Sequence, residues 1–340
     1  MSIEFLYLSH EDVIQTGIDM TSFLEIVEKH FVLFNGGDVI LPDKVVLDLG
    51  ERERGRINAL TAYVGGDVDV CGVKWVASFP QNKYRYDLPR ASAIIILNDS
   101  TSGIPLAVID GTYISAMRTG AVAGVGAKYL SKTNARSLCL IGCGVQARTQ
   151  LLAVTTAIKT IREVKCFDID EGSMNYFVEQ VAQIDELSET RVIANSSVRE
   201  AVTGSDIVIT ATIADEPIVN NDMLDKGSLV IHIGSYQEED EDVIYNSDKV
   251  IVDDWNSVLH RRTPILARMY MEKKISEEDI YGDLGEIVAG KKSGRENDSE
   301  QIFFLPIGMG SEDVIAAYRV YEIAIQEQLG RRLSLWEKFF

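Results

Sequence analysis

Two kinds of residue in this chain could do chemistry: a glycine-rich turn able to hold a phosphate, and a few cations set in apolar runs. The turn is Gly142-Cys143-Gly144-Val145-Gln146-Ala147, entered from the apolar run SLCLI and followed by a helical pattern. It reads G-x-G-x-x-A, the alanine form of the dinucleotide fingerprint. Gly142 permits a tight turn, Gly144 lets the backbone approach a pyrophosphate, and Ala147 lets the helix pack closely on the sheet. Free N–H groups and the helix dipole at that end favour an anion. The next apolar run, VKCFD, ends in Asp168, 24 residues beyond Gly144, close to the spacing of about 20 expected of the acid that binds the ribose hydroxyls. Asp168, Asp170 and Glu171 stand together with no arginine beside them. A carboxylate there accepts from a free 2′-hydroxyl and repels a phosphate, which favours NAD over NADP.

The cations are Lys74 in CGVKWVASFP, Arg118 in SAMRTGAV, Arg90 in LPRASAIIIL and Lys44 in ILPDKVVLDL. A lysine is seldom fully buried without a partner, because desolvating an ammonium is costly. For Lys44 and Arg90 the alternative is a strand-end charge reaching solvent. For Lys74 and Arg118 the alternative requires buried carboxylate partners. The reading taken here is carboxylate recognition: arginine offers a planar fork to a carboxylate, and lysine can also shift its pKa and move a proton. Strand alternation then turns Val73 and Trp75 toward an opposite, packed face.

These residues need elements to position them. Residues 1–35 carry turn signals and a helical pattern, with Ser9 and Thr21 as expected N-caps. From 39 to 110 short β-rich runs alternate with Gly, Asp and Pro, which predicts an antiparallel or mixed sheet. TYISAMRTGAVAGVGAKYLS reads as a helix whose small residues pack closely. Beyond Arg136, SLCLIG, VKCFDID, RVIA, DIVITAT, SLVIHIG and KVIVDD are nearly continuous apolar strands separated by helices, the mark of a parallel sheet covered on both faces. SEDVIAAYRVYEIAIQEQLG closes the chain as an amphipathic helix expected to start at Ser311 and stop at Gly330.

The composition sets outer bounds. A length of 340 residues suggests two domains, and 46% hydrophobic with 25% charged residues fits an ordinary globular protein. A net charge of −19 argues against nucleic acid, which requires clustered Lys and Arg. The acidic runs QEEDEDV (237–243) and SEED (276–279) read as solvated surface. No apolar run is long enough to span a bilayer, no secretory leader is seen, and the four cysteines show no metal-ligand spacing. The expectation is a cytoplasmic protein with reduced thiols and no metal.

The series GVKWV, LND with TSGIPLAVIDG, AMRTGA and GCGVQA resembles the ornithine cyclodeaminase/μ-crystallin family over nearly the whole chain. The resemblance implies an α/β protein: a Rossmann-type parallel-sheet domain (119–311) inserted in a discontinuous α+β substrate and dimerisation domain (1–118 with 312–340). It implies a nicotinamide cofactor, an amino-acid substrate and a homodimer. Residues matching Lys74 and Arg118 hold the substrate carboxylate, and those matching Ser92, Arg118 and Thr119 approach the cofactor. Further cofactor contacts are expected at Gly142, Gly144, Val145, Gln146, Asp168, Ile169, Thr210, Thr212, Gly234, Gly308 and Met309.

Two departures weaken a diamine substrate. Ile57-Asn58-Ala59-Leu60-Thr61 lacks the acid that cyclodeaminases carry before a Met-Pro pair, and Gly234-Ser235-Tyr236 lacks their Asp. RASAIIILND, VIVDDW, SGRENDSEQIFFLPIGMG and SEDVIAAYRVYE are instead similar to a subgroup that oxidises an aminocarboxyethyl-glutamate in 2,3-diaminopropionate synthesis, a supply route for siderophores and peptide antibiotics. On that reading Lys44 and Arg90 bind the remaining carboxylates, and Lys74 and Asp313 are the catalytic candidates, Asp313 for water activation or as a first-turn acid stabilised by the helix dipole. The alternatives are cyclisation of ornithine or lysine, cyclic-imine reduction, alanine dehydrogenation, or non-catalytic ligand binding.

Overall fold

A computed structural model describes residues 2–50, 55–214, 216–234 and 237–338. The chain divides into two compact units, Met1–Arg118 with Met309–Phe340 and Thr119–Gly308. The second boundary therefore falls between 308 and 309 rather than between 311 and 312, and the first lies within the helix Thr112–Leu130.

The first unit is built on a mixed sheet. Its order is Arg331–Trp336, Ile3–Leu8, Pro105–Asp110, Ala91–Asp99, Val70–Ser78, Arg56–Val64, Val39–Ile40, with Val45–Asp48 also paired to Arg56–Val64. Only Ile3–Leu8 and Pro105–Asp110 run parallel; the other neighbours are antiparallel. The helices Met20–Gly36 and Gly310–Gln326 pack together, and the latter lies on the central strands. Phe23, Val27, His30 and Phe31 recur at helical spacing and are buried, the stripe that a surface helix turns to its core. Asp19 caps this helix by accepting the Ser22 N–H at 2.8 Å, in place of the expected Thr21. Ser9 does cap the first helix, reciprocally with Asp12. Ile3–Leu8, within a stretch expected to carry turns and helix, and Arg331–Trp336, beyond the expected end of the last helix at Gly330, are both strands. They form because Ile3–Leu8 bridges the carboxy-terminal strand and the rest of the sheet.

The two faces of this sheet differ. Val70, Gly72 and Lys74 lie under the helices, while Trp75 remains 48% exposed. The expected packed environment for Trp75 is therefore absent from the single chain. Val45, Ala59, Trp75 and Ile94 form one cross-strand row on that outer side, and Val45, Trp75 and Ile94 are all exposed.

The second unit is a wholly parallel sheet in the order Arg191–Ala194, Glu163–Phe167, Ser137–Ile141, Ile207–Thr210, Leu229–His232, Ile302–Leu305, Lys249–Val252, Gly282–Asp283. The central strands are buried at every residue, as continuous apolar runs require when both faces are covered. The strand order reverses beside Ser137–Ile141, which makes this a doubly wound fold with its switch point at the glycine-rich turn. Ile302–Leu305, unpredicted as a strand, inserts between Leu229–His232 and Lys249–Val252. The small residues of Thr112–Leu130 do allow close packing: a Cβ on Gly120 would stand 2.5 Å from Thr149 O, and one on Gly126 2.5 Å from the Phe304 ring. Among the described residues no helix is long and apolar enough to cross a membrane.

Candidate active site

In the first unit, Lys74 sits mid-strand on the face covered by the last helix and is 2% exposed. That helix starts at Gly310, one residue before the expected cap, and its first turn is sunk into the core: Ser311, Glu312 and Asp313 are fully buried. Lys74 Nζ donates to Asp313 Oδ2 at 2.5 Å and to Ser115 Oγ at 3.1 Å. Arg118, 7% exposed, donates from Nε to Asp313 Oδ1 at 3.0 Å and from Nη1 to Glu312 Oε2 at 2.6 Å. Both cations therefore have buried carboxylate partners, which corrects the expectation that a bare cationic pair awaits the substrate. Asp313 bridges the pair with both oxygens and is fully buried, so its contacts in the structure are those of a charge partner to the two cations.

The cluster is electrically neutral, two cations against two carboxylates. Burial pulls Lys74 down to about 8, helped by the Arg118 charge and opposed by Asp313. Burial works against Arg118 as well, but Asp313 and Glu312 outweigh it and hold the guanidinium charged. Burial raises Glu312, whose Oε1 has no hydrogen-bond partner. His30, from the helix Met20–Gly36, bonds Ser311 Oγ through Nε2 at 2.7 Å. Burial and then the Arg118 charge push His30 down to about 3, so it is neutral. Glu312, Ser115 and His30 escaped the sequence reading, and Ser311 was expected only as a helix cap; for the last helix the one signal was three consecutive polar residues, Ser311-Glu312-Asp313, at its start.

What remains open on this cluster defines its chemistry. Arg118 spends Nε and Nη1 on the two carboxylates, and its Nη2 bonds no described residue. Lys74 spends two of its three N–H groups. A fixed guanidinium with one free corner, beside an ammonium with one free donor, can take a carboxylate.

The other expected substrate contacts scatter. Lys44 directly precedes the strand Val45–Asp48, whose Val45 opposes Ala59, so it continues the row of Leu60 and Lys74. Arg90 is exposed and lies opposite Phe79. Strand alternation puts Phe79 on the face away from Lys74, so Arg90 is not brought to the cluster. Ser92 opposes Ala77 on that same outer face.

In the second unit the turn has the expected local build. Gly142 has φ +96°, and a Cβ there would stand 2.7 Å from Ala211 O, so no other residue fits without strain. Nothing lies within 4 Å of a Cβ position on Gly144, which leaves the space a pyrophosphate needs. The helix Val145–Ala157 begins there with Gly144 as its N-cap. Asp168 holds the turn, accepting Cys143 N–H at 2.7 Å and Asp170 N–H at 2.9 Å. Ile169 is 95% exposed, and Val145 and Ile213 are also exposed, at the carboxyl ends of neighbouring strands. These residues fit a dinucleotide: an open glycine cradle, an acid beside it, and apolar side chains left in solvent.

Several expected cofactor contacts are differently employed. Thr210 is fully buried and its hydroxyl donates to Glu239 at 2.6 Å. Met309 is buried and its N–H donates to Glu312 at 3.2 Å. Neither side chain is available to a ligand. Thr212 gives its N–H and hydroxyl to Glu238 at 2.6 and 2.7 Å, and that carboxylate packs on the Cα of Gly234. Gly308 N–H donates to Asp253 Oδ2 at 2.7 Å. Gln146 is half-buried and accepts from Gln150, which also bonds the Thr119 carbonyl. Ser235 and Tyr236 lie outside the described residues. Glu238 and Glu239 are fully buried, and Glu239 bonds His232 Nδ1 at 2.6 Å. The run 237–243 is thus not merely solvated surface.

A doubly wound sheet with this cradle, joined in one chain to a buried cation–carboxylate cluster, defines a nicotinamide-dependent oxidoreductase. The family model of the ornithine cyclodeaminase/mu-crystallin family matches residues 6–328, and the chain belongs to that family. It is 33% identical to an N-((2S)-2-amino-2-carboxyethyl)-L-glutamate dehydrogenase from Staphylococcus aureus, over 99% of this chain and 100% of that protein. Among solved structures, the Delta(1)-pyrroline-2-carboxylate reductase of Thermococcus litoralis, in complex with NADH and L-proline, superposes with TM-score 0.88 at 34% identity, covering 96% of this chain and 99% of that one. An archaeal alanine dehydrogenase dimer with bound NAD matches with TM-score 0.87 at 32% identity, over 98% and 100% of the two chains.

Proposed function

We propose that this enzyme cleaves N-(2-amino-2-carboxyethyl)-L-glutamate oxidatively to 2-oxoglutarate and L-2,3-diaminopropionate. The balance is one substrate, one NAD⁺ and one water giving the two products, NADH and a proton. NAD is the cofactor, and when bound it takes the hydride from the glutamyl Cα. The remaining chemistry falls to the chain. Arg118, immobilised by Asp313 and Glu312, receives the α-carboxylate on its free Nη2 and so fixes the carbon that reacts. Lys74 binds the same carboxylate or exchanges the proton of the secondary amine, for which a pKa of about 8 is well placed. Asp313 keeps the Lys74 charge in position, and Lys44, in line with Leu60 and Lys74, serves a second carboxylate.

The observation that carries this reading is the Lys74–Asp313–Arg118–Glu312 cluster with its open donors. The lack of a diamine-binding acid in Ile57-Asn58-Ala59-Leu60-Thr61 supports it, as does the full-length similarity to the staphylococcal dehydrogenase. We further propose a homodimer formed through the exposed Val45–Trp75–Ile94 row, because apolar patches of this kind mark association surfaces. The catalytic test supplies NAD with each candidate amine in turn and follows NADH by absorbance and products by mass. Net NADH with 2-oxoglutarate and diaminopropionate supports the proposal. NADH from alanine or proline alone would replace it with alanine dehydrogenation or cyclic-imine chemistry. Ornithine consumed with no net NADH would indicate a cyclodeaminase.

A further inference from the structure

The face that carries Lys74 continues beyond the cluster, and strand register shows what lies along it. Leu60 opposes Lys74, Asn58 opposes Val76, and Arg56 opposes Ser78. Directly opposed residues share a face, and faces alternate along a strand. Arg56, Asn58, Val76 and Ser78 therefore lie on the Lys74 side. The last helix covers this side only from its own first residue: a Cβ on Gly310 would stand 2.9 Å from Leu60 Cβ, and Val314 packs against Gly72. The rows toward Arg56 run out from under the helix, and Arg56 and Ser78 are half-buried where Lys74 is buried.

Arg56 forms no ion pair or hydrogen bond with any described side chain. Asp48 stands across from it on the neighbouring strand, but that carboxylate accepts the Gly50 N–H at 2.8 Å instead. At about 3.3 Å per residue, the Arg56 row lies roughly 13 Å along the strand from Lys74, a gap that an arginine side chain and a short dicarboxylate close together. The charge count makes the same demand. The buried cluster is neutral and offers donors for one carboxylate, so each further carboxylate of the proposed substrate needs a cation outside it, and Arg56 joins Lys44 as one on this face.

We infer that Arg56 is a specificity residue: it binds the distal carboxylate of a substrate whose α-carboxylate is held at Arg118 and Lys74. This rests on the proposed assignment of that cluster as the substrate site and identifies the substrate class as a dicarboxylic amino acid or its derivative. The guanidinium fork suits bidentate binding of a carboxylate.

Two keto acids that differ only by the distal carboxylate test this, 2-oxoglutarate and 2-oxobutyrate, each titrated calorimetrically into the NADH-loaded enzyme. The wild type is expected to prefer 2-oxoglutarate at least tenfold. Arg56→Gln is expected to weaken 2-oxoglutarate tenfold or more and leave 2-oxobutyrate within twofold, which also reports that the variant is folded. Arg56→Lys should recover part of the loss. No preference in the wild type, unchanged affinities in Arg56→Gln, or equal weakening of both ligands would overturn the inference. Turnover is not the readout, so the two readings fail separately. Discrimination through Arg56 without NADH from the aminocarboxyethyl-glutamate removes the proposed reaction alone; NADH without discrimination removes the Arg56 assignment alone.

Discussion

Asp313→Asn keeps the shape of the cluster and removes the charge that joins its two cations. In the native enzyme the carboxylate lies 2.5 Å from Lys74 Nζ and 3.0 Å from Arg118 Nε. Two unit charges about 4 Å apart attract by about 4 kcal/mol at an effective dielectric constant of about 20. At 1.36 kcal/mol per pKa unit, losing that attraction lowers Lys74 by about 3 units, from about 8 to about 5. Lys74 already sits below its ordinary value of 10.5, so the unfolded chain binds more protons between pH 8 and 10.5, and native stability rises with pH through that window. In the variant the window opens downward to about pH 5. At pH 7 the native fold carries a Lys74 penalty of about 3 kcal/mol and the variant one of about 5, each from its displacement below the unfolded pKa, capped in the variant at pH 7 itself. The lost charged hydrogen bond to Arg118 adds about 1.5 to 3 kcal/mol. Asp313→Asn should therefore destabilise the fold by roughly 3 to 5 kcal/mol at pH 7, the range seen when a buried ion pair is broken. Urea unfolding measures the stability, and carbon NMR of the lysine side chains, assigned with Lys74→Met, measures the titration. A Lys74 midpoint still near 8 in the variant would refute the claim that Asp313 holds its charge.

Three further outcomes are expected. Gly142→Ala should lower NAD affinity at least tenfold in calorimetry and reduce stability, since φ is +96° and the new Cβ meets Ala211 O at 2.7 Å; native affinity would show that the turn is not the cofactor cradle. Asp168→Asn removes a negative charge but keeps an acceptor for the Cys143 N–H, so the preference for NAD over NADP should shrink by at least tenfold in kcat/KM; an unchanged ratio would place the ribose elsewhere. Trp75→Asp puts a charge into the exposed cross-strand row and should give monomers in sedimentation analysis, whereas an intact dimer would move the interface to another face.

Much of the second unit was readable because its strands are buried on both faces and so appear as uninterrupted apolar runs. Ile302–Leu305 is equally apolar but follows a charged loop and reads as its end; only its insertion between two other strands makes it a member of the sheet. The strands Ile3–Leu8 and Arg331–Trp336 are each other's partner across almost the whole chain, a relation that no local pattern encodes. The site divides in the same way. Lys74 and Arg118 stood out because a cation in an apolar run is costly and demands a reason. Glu312 did not, and Asp313 stood out for water activation but not as the partner of Lys74 and Arg118, because acids in the first turn of a helix are ordinary in solvent and nothing nearby signals that this turn is buried. The pairing of Lys74 with Asp313 spans 239 residues. Glu238 and Glu239 escaped for a related reason: within an acidic run, two fully buried carboxylates look like their exposed neighbours.

The central claim is that the buried cluster, with Lys74 at its open corner, is where the amino-acid substrate reacts. Lys74→Met tests it most directly, because methionine fills much of the same space and removes both the charge and the proton. The measurement is kcat/KM for aminocarboxyethyl-glutamate oxidation, made on protein whose NAD affinity has been verified. A loss of 100-fold or more, in the range that a positioned acid or base contributes, with NAD affinity unchanged, is the predicted result. Turnover within a few-fold of the native enzyme would contradict the account and leave Lys74 a buried structural cation.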